Sequence, residues 1–356
     1  MSPAPNDVIV AHDALRLLCT RILEAANVPS QDARTVADLL VEANLCGLDT
    51  HGVIRLKLYV DRIKAGGIKT DPELRVVREN ACTALLDADN GLGPVGGTYA
   101  MELAIQKANS AGIGVVAIRN SNHYGPAGHY TRLATARNMI GISITNTLAS
   151  MPPTGGAAPR QGNNAYSIGF PADREPAVII DGATSKASWG KLFLCAQTGE
   201  DLPEGCFVDK NGQPTLSPQA VMDGGGLLPF AGHKGYGLAV AFELLTGMLA
   251  DAPLDHEIPH PYKKLDAPGD NTFFMAAFSL DCFAGADEFK RRMDEWIRFM
   301  RATPKAPGVE RIWLPGEIEA VTRASRLEDG IPLGANMIQE LRELAHDGGV
   351  EFSLPI

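Results

Sequence analysis

The 356-residue chain lacks any basic run: 32 lysines and arginines stand against 42 aspartates and glutamates, for a formal charge of −10. That balance excludes nucleic acid and anionic membrane as partners, because both need a positive footprint. Cysteine is sparse. The six residues at 19, 46, 82, 195, 206 and 282 form no C-x-x-C pair and no even framework, which suits free thiols in a reducing compartment. No apolar run approaches a membrane span, and the N-terminal MSPAPNDVIVAHDALRLL has no basic stretch followed by an apolar one, so a cytoplasmic protein is expected. With 45% hydrophobic residues the chain can bury a large core, and small molecules are the partners left.

Apolar residues recur at three and four over Asp13–Ala26 and Ser30–Leu45, which predicts two opening helices, the second capped by Ser30. A third is expected over DTHGVIRLKLYVDRIKAGG, capped by Asp49 or Thr50 and stopped by Gly66 and Gly67. From about residue 75 short β-rich runs take over: CTALLDAD, GIGVVAIRN, MIGISITN, YSIGFPA and AVIIDGA, with helices at 96–110 and 235–250. After Phe283 the texture is helical again. The reading is an α/β domain over 76–285 and a helical domain made of 1–75 with 286–356.

Two motifs invite misreading. His256, Glu257 and His260 spell H-E-x-x-H, the zinc-hydrolase pattern, which needs a helix to bring both imidazoles to one face. Pro253, Pro259 and Pro261 oppose a helix there, so a polar loop is expected and no metal site is assigned. Gly91, Gly93 and Gly96 spell G-x-G-x-x-G between a strand and a helix, the context of a Rossmann fingerprint. The acidic residue that should close the next strand is missing, since GIGVVAIRN ends in Arg119 and Asn120. Pro94 also removes a backbone donor that a pyrophosphate would use.

Stronger chemistry lies in histidines with polar neighbours. His51, Arg55 and Tyr59 are spaced i, i+4, i+8, which on a helix would line up an acid-base group, a fixed cation and a phenol. Arginine can grip a carboxylate with two parallel hydrogen bonds, and an imidazole one turn away can exchange a proton beside it. From spacing alone a solvated helix face is an equal alternative. His123, in RNSNHYGPAGHY, sits at the end of a strand, where open α/β sheets place their chemistry. Lys186, Lys191 and Lys234 lie among small residues that let a ligand approach the backbone.

Taken in order, DTHGVIR (49–55), NGLGPVGG (90–97), RNSNHYGPAG (119–128), MPPTGG (151–156), DGATSKASWGK (181–191), GHKGYGL (232–238) and LPGE (314–317) resemble the malate/L-lactate dehydrogenase family of the non-Rossmann type, nearly end to end. That family also includes ureidoglycolate dehydrogenase and 2,3-diketogulonate reductase. The resemblance implies a cofactor domain with a largely antiparallel sheet covered by helices, a homodimer, and NAD(H) as cofactor with NADP(H) the alternative. It implies reversible hydride transfer between the nicotinamide and C2 of a small 2-hydroxy or 2-oxo acid. It assigns His51, Arg55, His123 and Lys191 to the substrate and nicotinamide; Tyr59 joins Arg55 as a substrate-binding candidate from its spacing. His51 is then the first candidate for proton donor and His123 the second. It assigns Thr147, Asp181, Ala183, Thr184, Ser185, Lys234, Pro315, Gly316 and Glu317 to the dinucleotide, and makes the G-x-G-x-x-G structural. The family's usual G-T-N-P is GNNA here (162–165), its D-M-A-T-S is DGATS, and a usual glycine is Ala231; these departures touch cofactor contacts. An imine-reducing branch carries an acidic residue where this chain has Lys191, and a cation there would repel a protonated imine. A non-catalytic dinucleotide-binding regulator is the alternative of a different class.

Overall fold

The computed structural model describes residues 7–354. A short strand, β1 (Val8–Val10), leads into α1 (His12–Ala25) and α2 (Ser30–Leu45). Each helix buries one apolar stripe, Leu15, Leu18 and Ile22 on the first and Val36, Leu40 and Ala43 on the second. Ser30 is not the cap predicted for it: Pro29 holds that position and the serine makes no capping bond.

The third helix starts later than its spacing predicts. Asp49–His51 and Val53–Arg55 form two 3₁₀ turns, and only Leu56–Ala65 is α-helical, as α3. The break is at Gly52, whose ψ of −149° is not helical. Asn44 of α2 occupies the space a side chain would need, since a Cβ on Gly52 would lie 2.2 Å from Asn44 Oδ1. That same oxygen accepts from the Val53 amide at 2.8 Å, and Asn44 Nδ2 donates to Asp49 at 2.7 Å. His51, Arg55 and Tyr59 therefore do not share one helix face; a kinked turn gathers them.

The chain continues through β2 (Arg75–Glu79), β3 (Thr83–Asp87), α4 (Gly93–Ala111), β4 (Ile113–Ser121), α5 (Ala127–Thr135), β5 (Met139–Thr145), β6 (Tyr166–Phe170) and β7 (Val178–Gly182). Next come α6 (Trp189–Thr198), β8 (Phe207–Val208), α7 (Pro218–Met222), β9 (Gly226–Leu227), α8 (His233–Glu243) and β10 (Asn271–Ser279). The described chain closes with α9 (Ala286–Arg301), α10 (Glu317–Asp329), β11 (Ile331–Leu333) and α11 (Ala335–Asp347).

Seven strands form one mixed sheet in the order β2-β3-β4-β10-β5-β6-β7. Its neighbours are antiparallel except β3 and β4, which run parallel with α4 between them. Strand β10 sits at the centre, pairing Phe274 with Ala117 on one side and Ile144 on the other. The sequence reading did not name this strand: NTFFMAAFS is apolar almost throughout, as a strand buried on both faces should be, and shows no alternation.

One hydrophobic cluster joins Val10, Leu40, Met101, Ile118, Phe273, Ile331 and Leu341, so the terminal helices and the sheet share a core. The two ends also pair directly, Val8 opposite Leu333. A second, smaller cluster around Met151, Leu192, Phe207 and Leu227 lies under the segment that carries α6 to β9. All six cysteines are free, and no described helix is long and apolar enough to cross a membrane.

Candidate active site

Strand direction decides which loops meet. Because β4 and β5 are both antiparallel to β10, and β6 and β7 follow antiparallel in turn, the segments after β4, after β5, before β6 and after β7 emerge at one end of the sheet. His123, Thr147, Asn163 with Asn164, and Ala183 to Ser185 occupy these four segments.

On one side of the site, His51 and His123 stack with ring centroids 5.9 Å apart and planes 21° from parallel. Tyr59, fully buried on α3, places its hydroxyl 2.8 Å from His123 Nδ1. The same hydroxyl also reaches the His123 carbonyl at 3.5 Å, so two contacts from one phenol orient the ring. Burial pushes the phenol's own pKa up, which keeps it a donor. Thr50 Oγ1 lies 3.0 Å from His51 Nδ1 and orients that ring. Burial first, and then the Arg55 cation, lower the His51 pKa to about 4, and the same causes with His51 itself hold His123 well below its usual value. Both imidazoles are neutral near pH 7. Arg55 donates from Nε to the Thr50 carbonyl at 2.7 Å and from Nη1 to the Tyr262 hydroxyl. The guanidinium is half-buried and meets no carboxylate among the described residues, so part of its fork is open to one.

Lys191 stands in the first turn of α6, whose start abuts this cluster: a Cβ on Gly190 would sit 3.5 Å from Thr50 Cγ2. Its ammonium lies 4.0 Å from Glu200, so the structure pairs it with that carboxylate and not with an imidazole. The pair is exposed, and such pairs are worth about 0–1 kcal/mol.

The other side is built from short side chains and backbone. Thr147 donates from Oγ1 to Asn163 Oδ1 at 3.0 Å and from its amide to Asn164 Oδ1 at 2.9 Å. Thr184 donates its amide and hydroxyl to the Asn163 carbonyl, and Asn163 Nδ2 reaches Ser185 Oγ at 3.3 Å. Asp181 accepts the Gly128 amide at 2.8 Å, with Ala183 two residues on. Pro315 accepts the Ile179 amide of β7, and Gly316 presses on the same residue, where a Cβ would come within 2.9 Å of backbone. Glu317 is buried and its carboxylate is taken by Arg301, Arg311 and the Leu314 amide, so this turn offers a ligand its backbone only. The arrangement fits a dinucleotide. Nothing lies within 4 Å of a Cβ built on Gly182 or Gly232, which leaves open space past β7 and ahead of α8. Exposed Lys234 stands in the first turn of α8, where helix amides and a cation suit phosphate.

The two look-alike motifs resolve locally. Residues 255–257 form a turn rather than a helix, and Glu257 accepts the Leu254 amide to close it. Gly93 lets the loop after β4 cross α4: a Cβ there would lie 2.2 Å from the His123 carbonyl oxygen, leaving no room for a phosphate. Arg119 and Asn120 instead hold Asp87 of β3.

Residues 10–342 match the family profile described as malate/L-lactate dehydrogenase. The malate dehydrogenase of Pyrococcus abyssi is 40% identical over 97% of this chain and 96% of its own length. The L-sulfolactate dehydrogenase of Methanocaldococcus jannaschii is 38% identical over 93% and 94%. The solved malate dehydrogenase of Pyrococcus horikoshii superposes with a TM-score of 0.91 at 37% identity, over 99% of this chain and 98% of that one.

The chain belongs to the malate/L-lactate dehydrogenase family. It is a dehydrogenase of small 2-hydroxy acids that uses a nicotinamide cofactor, on the non-Rossmann mixed-sheet fold its motifs imply. Asn163 and Asn164 lie in the GNNA stretch whose departure from the family pattern touches cofactor contacts, whereas Tyr262 and Asp255 carry no signal in the sequence. Tyr262 lies 207 residues from Arg55, and nothing in a linear pattern joins them.

Proposed function

We propose that this dehydrogenase catalyses reversible hydride transfer between C4 of NAD(H) and C2 of a small 2-hydroxy or 2-oxo acid, with malate and oxaloacetate the first pair to test. Ureidoglycolate and sugar-derived acids are the alternative substrates, and NADP(H) the alternative cofactor. The observation that carries the reading is the pair of neutral imidazoles stacked beside an arginine with an open fork. Bound over the turns at Thr147, Asp181, Ala183 to Ser185, Lys234 and Pro315 to Glu317, the nicotinamide supplies and recovers the hydride.

Arg55 holds the substrate carboxylate through two parallel hydrogen bonds and so fixes C2 and its oxygen between the imidazoles. In the oxidising direction a neutral His51 removes the hydroxyl proton, and in the reducing direction its protonated form returns it. His123, its ring oriented by Tyr59, is the second candidate: as the neutral ring it would take the hydroxyl proton in the oxidising direction and as its protonated form return it in the reducing direction. Lys191 leaves its loose pair with Glu200 and stabilises charge as it develops on that oxygen.

The subunit is proposed to work in the cytoplasm as a homodimer. Helix α8 buries only Gly235 and Ala239 and leaves Leu238 exposed, and in the π-helical turn that follows it (Leu244–Met248) and just beyond, Leu244, Met248 and Leu249 are exposed too, a run of apolar side chains that a second subunit would cover. A monomer by light scattering after size exclusion would contradict the dimer. The catalytic reading is tested by mixing the protein with NADH or NADPH and following nicotinamide absorbance across oxaloacetate, pyruvate, 2-oxoglutarate and glyoxylate. Oxidation with at least one acid is expected; saturable NADH binding with no turnover would leave a non-catalytic binding protein.

A further inference from the structure

The segment that carries the false zinc motif reaches both halves of the site. Asp255 is fully buried, and its Oδ2 accepts three hydrogen bonds from one stretch of chain: Gln161 Nε2 at 2.6 Å, the Gly162 amide at 2.6 Å and Asn164 Nδ2 at 2.9 Å. Its backbone is tied as well, the amide to Glu243 of α8 and the carbonyl to the Ala149 amide. Asn164 is held at a φ of +22°, a conformation that a non-glycine residue keeps only when its surroundings impose it. The imposing groups are its side-chain bonds, to Asp255 and the Ala239 carbonyl on one side and from the Thr147 amide on the other. Asn163, next along, carries Thr147, Thr184 and Ser185.

Seven residues after Asp255 the same segment offers the Tyr262 hydroxyl to Arg55 Nη1. Past that point Arg62 of α3 donates to the Ala267 carbonyl at 2.6 Å. Residues 255–267 are thus fastened at one end under the cofactor-side turn and at the other to the helix that carries Tyr59.

We infer that the segment 255–262 is a positioning strap of the dehydrogenase site, with Asp255 setting the dinucleotide turn through Gln161, Gly162 and Asn164, and Tyr262 setting Arg55. Neither residue touches the reacting atoms; each acts through another. The inference rests on the proposed function, and it predicts a separation that a merely structural loop would not give. Removing the Asp255 acceptor disturbs cofactor affinity, and removing the Tyr262 hydroxyl disturbs the grip on the acid.

The test uses the full-length protein and its Asp255→Asn, Asp255→Ala and Tyr262→Phe variants. NADH dissociation constants come from fluorescence titration, and KM values at saturating NADH from the best acid among oxaloacetate, pyruvate and 2-oxoglutarate. Asp255→Asn keeps one oxygen for the three donors but loses the charge, so NADH should bind about threefold more weakly, and Asp255→Ala about tenfold or more, with the acid KM within about twofold of wild type. Tyr262→Phe should raise the acid KM about five- to tenfold, more than it lowers kcat, with NADH affinity unmoved. Should Asp255→Ala not fold, Asp255→Asn and Tyr262→Phe decide. Unchanged NADH affinity in folded Asp255→Asn, an unchanged acid KM in Tyr262→Phe, or both constants moving together in every variant overturns the strap. A wild-type protein that neither binds NADH nor turns over any acid is a separate result and overturns the proposed function instead.

Discussion

The two halves of this active site are built from different material. The substrate half is made of large side chains, His51, Tyr59 and His123, whose polar atoms find each other across 64 residues of sequence and are backed by buried core. The dinucleotide half is made of threonine, serine, glycine and asparagine at strand ends, held by amide and hydroxyl bonds over open space. In the proposed function the first half works through protonation and charge. The second works through shape. Damage to the first should therefore appear in the chemical step, and damage to the second in cofactor affinity.

The largest effect should come from the imidazoles. His51→Ala is expected to lower kcat by about 10² to 10⁴, the usual worth of acid-base catalysis, with NADH affinity unchanged in the same preparation. If His51→Ala stays near wild type and His123→Ala takes the loss, the two histidines exchange roles. Arg55→Lys comes next: it keeps the charge and loses the fork, so kcat/KM should fall by about 1.5 to 3 kcal/mol on 2-oxo acids. An equal fall on their amides or esters would mean that another residue reads the carboxylate.

How much of this was legible follows the same division. His51, Arg55 and His123 stand out because their side chains carry chemistry, although the helix expected to align His51 with Arg55 and Tyr59 is interrupted at Gly52 by Asn44, a contact between separate elements that no local period reveals. The dinucleotide residues were legible only as a family resemblance, since a threonine or serine after a strand has no spacing of its own. Central β10 has no sequence signal because burial on both faces erases alternation, and Asp255 has none because its role depends on burial against residues about ninety positions away.

Protons sharpen the contrast, because the halves depend on pH with opposite sign. His51 has its pKa lowered to about 4 by burial and Arg55. Between the ordinary 6.5 and 4 the unfolded chain binds a proton that the native state refuses, so this stability is present above pH 6.5 and lost as pH falls toward 4. Asp255 has its pKa raised to about 7, since burial and then the nearby Glu243 outweigh its three donors. Here the native state holds the extra proton, so stability is full below the ordinary 3.8 and lost as pH rises toward 7. Thermal melts from pH 4 to 8 should show His51→Gln flattening the acid-side decline and Asp255→Asn removing a decline in the opposite direction. Parallel profiles for wild type and both variants would contradict the assignments.

The smallest effect belongs to the dinucleotide half. Ala231 stands at a φ of +47°, immediately ahead of Gly232 at +62°, and a left-handed alanine costs roughly 1 to 2 kcal/mol of strain. Ala231→Gly should stabilise the fold by about 1 kcal/mol or less, after the glycine's greater entropy loss, with catalysis by His51 untouched. A lowered melting temperature would show that the methyl group packs usefully.

The central claim is hydride transfer from nicotinamide C4 to C2 of the acid, and it is tested most directly by isotope. The protein is incubated with NADH dideuterated at C4 and the acid it reduces fastest, and the product is examined by proton NMR and mass spectrometry. The account predicts a 2-hydroxy acid one mass unit heavier, with deuterium at C2 and one equivalent of NAD⁺ formed. Consumption of the acid with protium at C2, or with deuterium released to solvent, would contradict it.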